Sequence, residues 1–306
     1  MPAADQMERT FNMEFIPAKT IISGYSEGNL WFGDNYNMNI YKGCCHGCIY
    51  CDSRSECYRI DDFDQVRAKD NALALIAREL RSKRRKGVVG TGAMSDPYNL
   101  YEKEYRLTRG ALELIDANGF GASIATKSDL VTRDIDVLSS IKTHSPVLVK
   151  ITVTTADDEL CRKVEPRAPV ASRRFSAIRQ LDAGGIFTGI LLMPVLPFIE
   201  DNEENVVSII RLAGEAGARF IYPSFGVTLR QNQREWYYSK LDEYFPGLRQ
   251  KYVKQFGNAY ECPSPKAKEL WRVFRAECDR LGILHEMEDI IEAYREPYRI
   301  NQLSLF

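Results

Sequence analysis

From residue 37 to residue 224 the chain alternates short apolar, strand-favouring runs with longer stretches that are apolar on one side only. The runs predict strands over 37–42, 87–92, 121–126, 147–154, 187–194 and 218–224. The stretches between them predict helices over 69–85, 104–118, 132–143, 172–183 and 203–214. Leu73, Ile76, Ala77 and Leu80 share one helical face, as do Ala111, Leu114 and Ile115. Gly87, Gly119 and Gly184 follow three of these helices, where a left-handed cap is expected. Six strand–helix alternations in series imply an α/β fold with a parallel sheet, open and doubly wound or curled into a barrel. From about residue 229 helical patterns dominate, over 231–244 and 264–281, and residues 283–306 read as an appended tail. The expected division is an N-terminal extension (1–34), the alternating region (35–228), a helical C-terminal region (229–294) and a tail (295–306).

Composition narrows the class. The 306 residues are 44% apolar and 27% charged, with 41 basic against 42 acidic side chains and a formal net charge of -1. Bulk charge therefore excludes a polybasic, histone-like mode of nucleic-acid binding and leaves local patches open. No export signal is legible, because Asp5, Glu8, Glu14 and Glu27 interrupt the first thirty residues. The longest uncharged apolar stretch, 183–199, is broken by Gly184, Gly185, Pro194 and Pro197 and is short for a bilayer span of about 20 residues. A cytoplasmic protein without membrane partners is expected.

Four of the eight cysteines (Cys44, Cys45, Cys48 and Cys51) fall within eight residues, which suits metal chemistry better than a disulfide framework. Cys44, Cys48 and Cys51 put three thiolates on one short loop, with Gly43 and Gly47 supplying backbone freedom. Iron–sulfur cubanes take thiolates, usually four, so a loop donating three leaves one iron open to a small molecule. Zinc held by cysteines and His46 is the alternative, but zinc sites usually pair two knuckles. Cys57, Cys161, Cys262 and Cys278 stand alone and read as buried small residues.

The segment Gly43-Cys44-Cys45-His46-Gly47-Cys48-Ile49-Tyr50-Cys51 resembles the cluster loop of radical S-adenosylmethionine (SAM) enzymes. The resemblance covers roughly residues 35–225. It implies a partial (β/α)6 TIM-type barrel with a helical C-terminal extension, a [4Fe-4S] cluster and SAM cleaved to a 5′-deoxyadenosyl radical. It also implies an electron donor such as flavodoxin or ferredoxin. Within that superfamily the chain is most similar to the spore photoproduct lyase-like, or DNA repair photolyase-like, branch. The segments 90–98, Thr126-Lys127, Glu165-Pro166-Arg167-Ala168-Pro169 and Leu192-Met193-Pro194-Val195 carry that similarity. By position, it implies Ser95 and Asp96 at the methionine end of SAM and Lys127 at its carboxylate. Thr152 would contact the cofactor by its hydroxyl, and Tyr50 and Met193 would lie beside the adenine. Singly, these residues have structural readings: a turn and helix start at 95–97, a solvated lysine, a strand threonine. Loops after successive parallel strands converge on one site, which favours a shared function.

Two departures matter. The hydrogen-donating cysteine of the lyases, two residues before the motif serine, is Ala93 here, and their tyrosine after the last cluster cysteine is Asp52. The expectation is a radical SAM enzyme acting on nucleic acid, a DNA lesion or modified base, that is not itself a spore photoproduct lyase. The alternatives are a radical SAM enzyme for a peptide or small metabolite, and a zinc-stabilised interaction module.

The last five residues, Gln302-Leu303-Ser304-Leu305-Phe306, resemble the peptide with which bacterial polymerases and repair proteins dock on the replication sliding clamp. Gln302 would supply hydrogen bonds, and Leu303, Leu305 and Phe306 would anchor in an apolar groove. A terminal element folded onto the core is the other reading. Arg81-Ser82-Lys83-Arg84-Arg85-Lys86 places five cations at a helix end, for helix-dipole interaction or for phosphate contact.

Overall fold

The computed structural model describes residues 13–25 and 31–299. The clamp-like residues 302–306 lie outside the described residues.

Six strands form the expected parallel run: Tyr36–Met38, Val88–Thr91, Gly121–Thr126, Val147–Thr152, Thr188–Leu192 and Phe220–Pro223. Each pairs in parallel with the next in sequence, and Ile22–Gly24 adds an antiparallel edge beside the first. Val147–Thr152 is buried on both faces, as a central parallel strand must be. The helices Ala72–Ser82, Leu107–Ala117, Ile135–Lys142, Ala171–Ala183 and Glu203–Glu215 supply the crossovers. Asn202 caps one of them through Asn205 N, at 2.9 Å. The sheet stays open between its first and sixth strands. Phe32, just before the first strand, fills that gap, with ring centroids 5.6 Å from Phe220 and 5.5 Å from Tyr222 of the sixth. The result is the partial barrel.

Several expectations are corrected. The run 37–42 is two strands: Met38 ends the barrel strand, whereas Tyr41–Lys42 pairs with Arg67–Lys69 in a separate sheet completed by Glu14–Ile16. The cysteine loop therefore leaves from this small sheet, which also takes in part of the supposed N-terminal extension. Gly119 has the left-handed backbone, but beyond Ala183 it is Gly185 (φ 68) and not Gly184 that adopts it. Gly87 serves close approach instead, since a Cβ there would sit 2.5 Å from the Asn35 side chain. The C-terminal region is not purely helical: Glu261–Pro263 pairs antiparallel with Gly226–Thr228.

Nor are residues 283–298 a free tail. Helix Met287–Arg295 buries Ile290 and Tyr294, and the Tyr294 hydroxyl donates to the Phe32 carbonyl at 2.7 Å. Leu284 extends the sixth strand by a parallel bridge to Phe220. Among the described residues, no helix is long and apolar enough to cross a membrane.

Candidate active site

The cysteine loop lies over the C-terminal ends of the barrel strands, where loops after parallel strands converge. Gly43 (φ 82) starts its turn, and a Cβ there would meet the Gln65 carbonyl oxygen at 2.5 Å. Cys44, Cys48 and Cys51 are free thiols lining one cavity of about 140 Å³. Ser95, Asp96, Lys127 and Thr152 line the same cavity, so it gathers seven of the expected site residues from the cysteine loop and the ends of three strands. Among the described residues, no three His, Cys, Asp or Glu side chains converge as they would on a single metal ion. The thiols instead ring a space.

A second cavity of about 580 Å³ adjoins the first, sharing Cys51, Ser53, Ala93 and Lys127. Tyr50 and Met193, the two expected adenine neighbours, line this larger space. Its far wall is the two-stranded sheet of Gly226–Thr228 and Glu261–Pro263, through Val227, Glu261 and Cys262. Cys262 is buried as expected of a small core residue, yet it faces this cavity. Ala93 stands at the junction of the two spaces, and Asp52 at the rim is held by the Tyr58 hydroxyl (2.9 Å) and Arg230 (3.2 Å).

The polar groups divide into those already held and those left open. Asp96 is held. Its Oδ1 accepts from the Thr126 hydroxyl (2.6 Å) and Tyr98 N (2.9 Å), its Oδ2 accepts from Lys127 N (2.8 Å), and His46 Nδ1 lies 3.4 Å away. Ser95 is open: it is 8% exposed, and its hydroxyl has no hydrogen-bond partner. A buried hydroxyl without a partner, beside three free thiols, is the pattern a bound polar group would complete.

Sequence reasoning gave Glu165 a place in a motif but no role. The side chain is fully buried and accepts from the Tyr50 hydroxyl, while Arg174 Nη2 pairs with it at 2.5 Å. Lys127 Nζ stands 4.0 Å from it, over the Tyr50 ring at 5.6 Å from the centroid. Burial works against the Glu165 charge, but Arg174 and Lys127 outweigh it and hold its pKa below the usual range. Burial likewise disfavours the Lys127 cation, and the Cys48 sulfur and Glu165 outweigh it, keeping that pKa above the ordinary value. No signal in a single sequence marks such a convergence, because the partners are far apart along the chain.

With this geometry in view, the comparisons with known proteins decide the family. A model of the radical SAM superfamily matches residues 38–213. The chain belongs to the radical SAM superfamily. An uncharacterized protein of Mycobacterium tuberculosis (strain ATCC 25618 / H37Rv) is 32% identical over 244 residues, covering 78% of this chain and 71% of that protein. Among solved structures, spore photoproduct lyase complexed with dinucleoside spore photoproduct superposes with a TM-score of 0.62 at 15% identity, over 90% of this chain and 79% of that one. A lyase variant with bound AdoMet and the same dinucleoside reaches 0.61 at 15% identity, over 84% and 79%. At these identities the likeness is one of fold. A radical SAM enzyme uses a [4Fe-4S] cluster and SAM, and this chain is such an enzyme with a lyase-like fold.

Proposed function

We propose that Cys44, Cys48 and Cys51 hold the [4Fe-4S] cluster and that SAM lies across the two adjoining cavities, for a reaction on nucleic acid. The observation that carries the cofactor reading is the unpartnered Ser95 hydroxyl in the cavity ringed by the three free thiols. When bound and reduced, the cluster would supply one electron for the cleavage of SAM to a radical able to take hydrogen from a substrate. The protein's own part is positioning. Ser95 and Thr152 offer hydroxyls to the polar end of SAM. Lys127 offers its ammonium to the SAM carboxylate, and can turn to it because Arg174, not Lys127, is the close partner of Glu165. Asp96 lines the cavity but has both oxygens engaged, so its share is to lock the second-strand loop to the third strand. Tyr50 and Met193 give the adenine an aromatic and a thioether wall.

The nucleic-acid reading rests on the fold shared with a lyase solved with a dinucleoside photoproduct, and on a cavity of about 580 Å³ beside the cluster loop. Ala93 offers no transferable hydrogen at the lyase donor position, so the reaction differs from thymine-dimer reversal by that lyase. An electron donor of the flavodoxin or ferredoxin type supplies the reducing electron, and the Gln302–Phe306 peptide recruits the enzyme to a sliding clamp. Loss of clamp association on deleting residues 302–306 is the expected result.

Anaerobic reconstitution of the full chain should bring about four irons and four sulfides. Under dithionite, oligonucleotides carrying photoproducts or modified bases should raise 5′-deoxyadenosine above its uncoupled level, with deuterium from labelled DNA appearing in it. If no nucleic acid does so and a peptide or metabolite pool does, the substrate reading passes to that class.

A further inference from the structure

Five cations fall within residues 81–86, outside the cysteine-loop cavities. Helix Ala72–Ser82 ends before Lys83, so among Arg81, Lys83, Arg84, Arg85 and Lys86 only Arg81 lies in its last turn. The dipole of a helix acts within its last turn and gives no account of the cations beyond it. These residues lead into the N-terminal end of strand Val88–Thr91, whereas Ser95 and Asp96 follow its other end. A strand of this length separates the two faces by roughly 13 Å. The basic segment therefore lies on the face of the barrel opposite the chemistry.

Arg81, Arg84, Arg85 and Lys86 are exposed. Among the described residues none of the five cations has a carboxylate partner within salt-bridge distance. The segment is nevertheless held. The Tyr36 hydroxyl donates to the Arg85 carbonyl at 2.8 Å. Lys83 lies over the Tyr36 ring and Lys86 over the Phe120 ring, 5.1 and 4.4 Å from the centroids. Five cations in one short segment with no carboxylate partner among the described residues, three of them arginines able to bind phosphate in a bidentate fork, suit a polyanion. A membrane surface would also need an apolar anchor. The exposed large apolar side chains of the described chain, Phe15, Leu100, Val253, Tyr260 and Leu281, all lie outside this segment.

We infer that Arg81, Lys83, Arg84, Arg85 and Lys86 form a nucleic-acid backbone-binding face on the end of the barrel opposite the cluster loop. It anchors the strand by its phosphates and leaves the cavities free. The inference stands apart from the substrate proposal, since a backbone anchor does not require that the reacting group be a nucleotide.

The test is fluorescence anisotropy of the reconstituted full chain with a labelled 20-nucleotide oligomer, single-stranded and duplex, across a salt series. The triple variant R84Q/R85Q/K86Q is compared with K251Q/K254Q/K268Q, which removes the same charge from exposed lysines elsewhere. The first should bind at least about tenfold more weakly, with a log–log salt slope shallower by roughly 2–3, and the second should bind as the parent does. Uncoupled SAM cleavage should be the same in all three. Equal losses in the two triples, or an unchanged slope in R84Q/R85Q/K86Q, would overturn the proposal. So would polyglutamate displacing the oligomer at equal charge concentration, which would mark the face as one for an acidic protein. DNA that fails to stimulate SAM cleavage while binding still depends on this face would remove the substrate reading and leave this one standing.

Discussion

Glu165 and Asp34 are both buried in this barrel beside cations, and their pairs are built differently. Near the cysteine loop, Glu165 has Arg174 at 2.5 Å, Lys127 at 4.0 Å and the Tyr50 hydroxyl. Toward the N-terminal ends of the strands, Asp34 has Lys150 at 3.6 Å and Arg295 acting on it more weakly, and the Lys150 ammonium donates to the Ser123 hydroxyl at 2.6 Å. Burial raises the Asp34 pKa and lowers that of Lys150, and each partner opposes the shift without reversing it. Near the loop the balance is reversed, and both groups are held in their charged forms. Depth is common to the two pairs; the distance of the nearest cation from the carboxylate is not, being 2.5 Å at Glu165 and 3.6 Å at Asp34. Charge is kept where a charged cofactor is expected and driven toward neutrality where only packing is required.

The largest effect should come from the loop itself. Cys48→Ala should leave reconstituted protein without its cluster absorbance and with SAM cleavage at background, while Asp34→Leu/Lys150→Met keeps both. Next in size, Arg174→Met removes the closest cation from a buried carboxylate and should cost about 3–5 kcal/mol in urea denaturation. The Asp34→Leu/Lys150→Met double variant should fall within about 1 kcal/mol of the parent. Similar losses in these two variants would erase the distinction.

The pH dependence should separate the pairs by sign. Glu165 has a depressed folded pKa, so its stabilising share is present above the unfolded value of about 4.3 and is lost as pH falls through the lower folded value. Glu165→Gln should flatten that acid limb. Asp34 has a raised folded pKa, so its charge costs stability above that pKa and the cost is relieved as pH falls through it. Asp34→Asn should therefore narrow the gap between stability at neutral pH and at mildly acidic pH. The smallest effect is expected from Ser95→Ala, whose hydroxyl holds nothing within the protein. It should weaken SAM binding by roughly 1 kcal/mol, about fivefold, in calorimetry and leave Tm unchanged.

The contrast between these pairs was not legible in the sequence, and the reason is physical. Periodicity reports which side of an element is buried, so the barrel strands and their helices could be read from runs such as Val147–Thr152. It does not report partners. Residues 37–42 read as one strand because Met38, Ile40 and Tyr41 are all buried, although they serve two different sheets. Glu261–Pro263 leaves no pattern in the sequence, because so short a strand gains its identity only from pairing with Gly226–Thr228. The docked helix Met287–Arg295 did leave a trace, in Ile290 and Tyr294 four residues apart. At the site, local spacing marked the three thiols and the strand-end residues, while Glu165 with Arg174 became visible only once the chain was folded.

Gln233 is buried in the C-terminal region, and its amide donates to the Tyr50 carbonyl at 2.9 Å and to the Thr228 carbonyl at 2.7 Å. The apolar side of the cysteine loop, through Cys48, Ile49 and Tyr50, packs into one cluster with Tyr237, Leu241 and Tyr252 of the same region. The C-terminal helices thus roof the loop as well as extending the fold. An iron–sulfur centre is destroyed by dioxygen that reaches it, and this roof stands on one of the approaches. Loosening it, for example by Gln233→Ala, should shorten the lifetime of the reconstituted cluster in air before it alters any step of catalysis.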